Sequence, residues 1–445
     1  MPATHRKGDA IGTLDALSIG IGGIIGGGFF ATFGLAIIGS RGSTPLSFLV
    51  GGTIALLTAY SYTRLTLRYP GPGGTVAFVR LGFGSGILAS AVNLLLVWSY
   101  IAVMAVYARA LSSYAVSYLP PADRALWGRV VASVAIALLA LANFANPARV
   151  ERILNGLNVG KIAILLIFIL GGLTLGHPTW SRLAPANWVP AEAAISSGMV
   201  AFLAYEGFEL VANCSNRVVD PERALPVAFF GSVMAAIVIY VLAVIVAVGH
   251  LSFDAMKEAK DFGISAAAAT FMGPFGFGLM TLGAILASAS AIDSDFFGAG
   301  KLPILLAEQG QMPRVFERKR WGVPVASLIS MATIAILAVN FLDLQALSAA
   351  TSGGFLIVFA AVNLANVKLA AQTKSHAWIA TAGTLACVLA LVVMLLQFAS
   401  DPATRTSAHG VVASVAISIL LAILFRLVRA DERRPNETHD GRAQA

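Results

Sequence analysis

The chain has 445 residues, 58% of them hydrophobic and 12% charged, with a mean hydropathy of +0.81. That balance excludes a soluble domain, whose surface needs far more charge, and it identifies a polytopic membrane protein. The formal net charge of +8 has a topological origin, given below, and makes no case for a nucleic-acid partner.

Apolar runs bounded by charge, Pro and Gly clusters fall at roughly 11–38, 45–69, 82–118, 128–144, 155–176, 194–213, 225–250, 267–297, 324–341, 345–367, 377–399 and 409–429. They predict an all-α protein of about 12 membrane-spanning helices. The breaks carry turn chemistry, as in Pro70-Gly71-Pro72-Gly73-Gly74, Pro120-Pro121, Asn146-Pro147, Asp220-Pro221 and Asp401-Pro402. Lys and Arg set the orientation. Arg64, Arg68, Arg80, Arg149, Arg152, Arg217, Arg223, Lys301, Arg314, Arg318, Lys319, Arg320, Lys368 and Lys374 share one side with the basic tails. Those tails carry Arg6, Lys7, Arg426, Arg429, Arg433 and Arg434. The opposite side holds Arg41, Arg124, Arg129, Arg182, Lys257, Lys260 and Arg405. Both tails, residues 1–10 and 430–445, are therefore expected in the cytoplasm, with the protein in the cell membrane. The start His5-Arg6-Lys7 leads into a span without a small-residue cleavage site, so no cleavable signal peptide is expected. Residues 301–323 mix apolar and basic positions and are expected to form an interfacial helical segment.

The first run contains Gly20-Ile-Gly-Gly-Ile-Ile-Gly-Gly-Gly-Phe-Phe30. Each glycine costs a helix about 1 kcal/mol relative to alanine. Irregular backbone at membrane depth survives only where protein or a water-filled cavity covers it. The cluster is therefore read as a break exposing N–H and C=O groups to a small polar ligand; the plainer alternative is a small-residue packing face. A matching feature in the sixth run favours the break. There, Gly198-Met-Val-Ala-Phe-Leu-Ala-Tyr-Glu-Gly-Phe-Glu-Leu-Val-Ala-Asn213 puts Glu206 and Glu209 in the middle of an apolar stretch, around Gly207. An ionisable residue at that depth costs about 2.5 kcal/mol or more and marks a functional site by default. Glu206 is expected in a cavity; Glu209 is read as a gating acid or as a cap or salt-bridge partner of a half-helix.

Runs one to five (residues 11–176) and six to ten (194–367) are nearly equal in length, and each begins with an interrupted helix. Five spans is an odd number, so the second block must be inverted relative to the first. Spans eleven and twelve (377–429) lie outside this repeat. Interrupted helices at matching positions of inverted halves point to a transporter's central site. Half-helix N-termini suit a carboxylate, and freed carbonyls suit an ammonium.

The chain resembles the amino acid–polyamine–organocation (APC) transporter family, with its LeuT-type five-plus-five inverted repeat and discontinuous helices 1 and 6. The likeness rests on the first-span glycine cluster, on Ala204-Tyr-Glu-Gly-Phe-Glu-Leu-Val-Ala-Asn213 and on Asp220-Pro-Glu-Arg-Ala-Leu-Pro226. It continues through Ser288-Ala-Ser-Ala-Ile-Asp-Ser-Asp-Phe-Phe-Gly-Ala-Gly300 and Glu308-Gln-Gly-Gln-Met-Pro313. The resemblance implies an amino-acid permease whose substrate carboxylate sits on the amides of Gly26, Gly27 and Gly28. The substrate ammonium would be held by carbonyls of Ile21, Gly22, Gly23 and Ile24 and of the stretch from Phe202 to Tyr205. Phe202 and Tyr205 would be aromatic lids or pocket walls; the alternative is that they pack the helix interface.

In family members that work without sodium, a lysine matching Lys161 puts its ammonium where a coupling sodium ion would sit. Lys161 is therefore expected to be ion-coupling and to argue against sodium; the alternative is a lysine snorkelling to the interface. Asp293 departs from the family pattern, which carries Asn or a small polar residue nearby. Asp293 and Asp295 stand about 200° apart on a helix, so only one of them can face a given cavity. One of the two is expected to pair with Lys161 or line the path, and the other to sit near the inner end, close to Lys301. Asp293 is the ion-coupling candidate, and the alternative is a capped or salt-bridged structural acid. Arg109, in the third run, is read as snorkelling or acid-paired.

The expected function is sodium-independent, proton-coupled secondary transport of an amino acid by alternating access. The alternatives are an amino-acid exchanger, a polyamine or amine carrier using Glu206 and Asp293 for the extra cation, and a sensor that binds without transporting. No phosphate-binding Gly-x-x-x-x-Gly-Lys-Ser/Thr is present, and no nucleophile–base set lies in the runs, so an enzyme is not expected. Cys214 and Cys387 form no disulfide framework and the six histidines no ligand pair, so no metal or other cofactor is expected. The expected partners are the small-molecule substrate, the bilayer and protons.

Overall fold

A computed structural model describes residues 10–145, 147–318 and 323–431, with side chains described for all of these except 145–158 and 429–431. Arg6, Lys7, Lys319, Arg320, Arg433, Arg434 and nearly all of both tails lie outside the described residues, as do the side chains of Arg149, Arg152 and Arg429.

Among the described residues nine helices are long and apolar enough to cross a membrane, a bent pair makes a tenth span, and the shorter apolar helices Val159–Thr174 and Val325–Phe341 occupy the positions of the fifth and ninth predicted runs. The first span is the bent pair. α1 (Thr13–Ile24) and α2 (Gly27–Ser40) meet at a bend of 44°. Span two is α3 (Thr44–Arg68). A short helix, α4 (Gly74–Phe83), which Gly84, with φ at 74°, closes, overlaps the run predicted over 82–118 only at its last residues; that run holds the third span, α5 (Ile87–Ala115). The fourth and fifth spans are α6 (Pro121–Ala145) and α7 (Pro147–Thr174).

The sixth span is the most irregular. α8 (Ala191–Val200) tightens into a 3₁₀ turn over Ala201–Tyr205, unwinds through Glu206 to Glu209, and resumes as the single turn α9 (Leu210–Asn213). α10 (Pro221–His250) is span seven, and α11 (Phe253–Ala259) caps the end of the bundle where α10 terminates. The eighth span, α12 (Gly263–Gly298), was expected as one helix over 267–297. It breaks at Gly273, whose φ of 60° precedes Pro274, a residue unable to donate to the preceding turn.

Part of the segment expected to be interfacial, residues 301–323, packs on protein. α13 (Leu302–Glu308) buries Leu302, Pro303, Ile304, Leu306 and Ala307 against the bundle. Spans nine to twelve are α14 (Val325–Phe341), α15 (Leu344–Lys368), α17 (Ala377–Ser400) and α18 (Arg405–Asp431), with the short α16 (Ala370–Thr373) between α15 and α17. Asp343 caps α15 by accepting the Ala346 N–H at 2.7 Å.

α5, α10, α12 and α15 form the centre, whereas α6, α17 and α18 are peripheral and turn Leu138, Leu141, Leu385, Leu389, Leu420 and Leu424 outward. That apolar belt suits hydrocarbon. The two broken spans are tied together at both ends of the bundle. At one end Ile11 and the Arg217–Val219 backbone exchange hydrogen bonds of 2.9 Å. At the other, Arg41 bridges Trp188.

Candidate functional site

The site grows from two glycines. Gly23 and Gly207 bring the breaks of spans one and six into backbone contact, and a Cβ on Gly23 would lie 2.6 Å from the Gly207 carbonyl oxygen. Gly207 has φ at 110°, a conformation that L side chains rarely adopt. At Gly28 a Cβ would lie 2.7 Å from Leu203 Cδ1. Only backbone-thin crossings let two interrupted helices share one centre.

The freed carbonyls are largely claimed by the chain itself. The Tyr240 hydroxyl, from α10, lies 2.9 Å from the Ile24 carbonyl and 3.1 Å from the Ala204 carbonyl, spanning both breaks. Lys161 Nζ, from α7, donates to the Gly22 carbonyl at 3.2 Å. This lysine is 2 % exposed, so it does not snorkel, and this bond goes to backbone. The Ile21 carbonyl accepts the Ile25 N–H at 2.8 Å.

Gly26, Gly27 and Gly28 are buried: Gly26 packs on Ala291, Gly27 on Tyr107 and Ser288, Gly28 on Leu203 and Ala204. The amides expected to hold a substrate carboxylate thus line neither of the cavities described next. Phe202 is buried with its ring 6.0 Å from that of Phe359, and the Tyr205 hydroxyl donates to the Phe48 carbonyl at 2.8 Å. Both aromatics pack helices in this conformation.

A cavity of about 510 Å³ opens at the end of the bundle where α1 begins and α12 ends. Its floor is Ile19, Gly22 and Gly23; Leu210, Asn213, Cys214 and Arg217 line one side, and Ser294, Phe297, Lys301 and Leu305 another. At its blind end, sharing Gly22, Gly23, Leu210 and Ser294, lies a chamber of about 20 Å³ lined by Glu206, Glu209, Asp295, Tyr100 and Tyr107. Glu206 is 4 % exposed, and neither of its carboxylate oxygens has a hydrogen-bond partner; Asp295 is 7 % exposed with Oδ2 unpartnered. Glu209 is fully engaged: Oε1 accepts the Tyr100 hydroxyl at 3.0 Å and Oε2 the Gly207 N–H at 2.8 Å. Its carboxylate therefore fastens the unwound turn.

Asp293 faces away from this chamber, towards the fourth span, where Asn143 Nδ2 donates to its Oδ1 at 2.6 Å. The opposed orientation of the two aspartates follows their spacing, but the acid facing the chamber is Asp295. Tyr100, Tyr107 and Tyr240 were not singled out in the sequence, although Tyr100 and Tyr107, seven residues apart, must share a face of α5. Among the described residues no group of three His, Cys, Asp or Glu side chains is arranged to hold a metal ion.

A family model described as amino acid permease matches residues 11–425. The chain is 29% identical over 427 residues to the inner membrane transport protein YbaT of Escherichia coli K12, covering 94% of this chain and 96% of that one. It is 26% identical over 327 residues to the chloroplastic cationic amino acid transporter 9 of Arabidopsis thaliana, covering 69% and 57%. A manganese transporter from Eremococcus coleocola, in its H236A form, superposes with a TM-score of 0.58 at 14% identity, covering 94% of this chain and 93% of that one, and shares the fold. With a broken first span, an unwound sixth and a family match over nearly the whole length, the chain belongs to the amino acid permease family of APC membrane transporters.

Proposed function

We propose that this transporter is a sodium-independent, proton-linked amino-acid permease working by alternating access. The observation that carries the reading is the buried Lys161 ammonium on the Gly22 carbonyl, at the break of the first span. A charged group at membrane depth costs about 2.5–3.5 kcal/mol, and a hydrogen bond to a charged group returns about 1.5–3 kcal/mol. The near balance suits a group that gains and loses a proton during a cycle. In its protonated form the ammonium already occupies the break, which leaves no reason for a sodium ion there.

Residues 11–176 and 194–367 are the two inverted halves in this reading, and both termini are cytoplasmic. The open cavity then faces the cytoplasm, and the conformation is inward-open. Relatives that include cationic amino acid transporters of Arabidopsis thaliana support an amino-acid substrate.

The test is uptake of a radiolabelled amino-acid panel into proteoliposomes in sodium-free buffer, with and without an inward proton gradient. Uptake that rises with the gradient supports the proposal. Uptake indifferent to the gradient but stimulated by internal substrate makes the protein an exchanger; binding without uptake makes it a sensor.

A further inference from the structure

Three carboxylates share the small chamber, and they divide into two kinds. Glu209 is spent on the backbone turn and on Tyr100. Glu206 and Asp295 keep three oxygens without any partner, in a space lined by no Lys, Arg or His. A buried carboxylate left without hydrogen bonds or counter-charge is expensive. The natural complement is a cationic guest that reaches in from the larger cavity.

The chamber also limits the size of that guest. A space of about 10–15 Å³ on this measure admits one water molecule, so about 20 Å³ admits a group of that size. A primary ammonium is such a group, with three donors arranged around one nitrogen. A planar guanidinium, with five donors in a rigid fork, is larger and needs a flat slot. The 510 Å³ cavity that leads to the chamber leaves room for the rest of the substrate. Freed carbonyls are poor competitors for this cation, since Gly22 already accepts from Lys161, and Ile24 and Ala204 share the Tyr240 hydroxyl.

We propose that Glu206 and Asp295 form a recognition pocket for a terminal primary ammonium, so that the substrates are diamino acids of the lysine type or aliphatic diamines. This rests on the transport reading above and names its substrate class. Glu206 and Asp295 accept hydrogen bonds from the guest ammonium, and Glu209 holds the turn that aims Glu206 into the chamber.

The experiment measures binding of radiolabelled lysine to purified protein, with competition by norleucine, arginine and 1,4-diaminobutane, and runs uptake of the same compounds in parallel. Norleucine is lysine without its terminal amine. In the wild type, lysine and the diamine compete at least about tenfold better than norleucine or arginine, as a site built to hydrogen-bond a group rejects analogues that lack it or misfit. In Glu206→Gln the lysine-to-norleucine preference falls about tenfold or more. Glu192→Gln, at an exposed position in the first turn of α8, keeps the wild-type preference. Norleucine competing as well as lysine in the wild type overturns the inference without any variant having to fold, and a preference intact in Glu206→Gln overturns it too. If neutral amino acids alone are transported, still with the proton gradient, this inference fails and the transport reading stands. If lysine binds with the expected preference and nothing is transported, the transport reading fails and the chamber assignment stands.

Discussion

Lys161 and Glu206 are both ionisable groups inside an apolar bundle, but the fold treats them in opposite ways. The lysine finds a carbonyl at the first break, whereas the glutamate is left bare towards a cavity. Lys161→Ala removes a hydrogen bond to a charged group worth about 1.5–3 kcal/mol, and gradient-driven uptake in liposomes should fall by about tenfold or more. Tyr240→Phe removes the hydroxyl that lies between Ile24 and Ala204. Thermal unfolding in detergent should show a loss of about 1 kcal/mol, the ordinary net worth of such a bond. The acids and the lysine were visible in the sequence because charge interrupts an apolar run. Which aspartate faces the chamber was not visible. The spacing of Asp293 and Asp295 fixes their opposition, but only the packing of α12 against α5, α6 and α7 fixes the helix rotation. Tyr240 was invisible for a related reason: a tyrosine in an apolar helix announces nothing until the breaks it bonds are brought beside it.

At the scale of elements, the breaks differ in what enforces them. Gly207 is held by a positive φ and by contact with Gly23, whereas Gly273 has a positive φ with open space around it. Gly273→Ala should therefore cost only the backbone strain, about 1–3 kcal/mol. Gly207→Ala adds a collision with the first span to a similar strain, and should cost more than Gly273→Ala. Chemical denaturation of the two variants side by side checks this; equal losses would mean that the Gly23–Gly207 crossing relaxes freely. Glycine density announced the first break, and Glu206-Gly207 the second. The full unwinding from Ala201 to Glu209 was not legible, because five apolar residues there adopt a 3₁₀ turn only where α2, α3 and α15 pack round them. That the apolar side chains of residues 302–308, within the segment expected to be interfacial, cover a protein surface was not legible for the same reason.

Across the whole molecule, the cavity mouth gathers Arg217, Lys301 and Glu308, while Arg41, Arg182 and Lys260 lie at the opposite end. Cys214 lines the cavity, and Cys387 is buried between Thr58 and Asn363. A membrane-impermeant maleimide should therefore label Cys214, and leave Cys387 untouched, in inside-out vesicles only. Labelling from the outer face would reverse the proposed orientation.

The most direct measurement of the central proposal follows protons. Liposomes holding a pH-sensitive dye, in sodium-free buffer, would receive external lysine with no pH gradient imposed. The account predicts that lysine entry acidifies the lumen in the wild type and that Lys161→Ala abolishes the signal. Lysine entering at the same rate with no acidification would contradict proton coupling through Lys161.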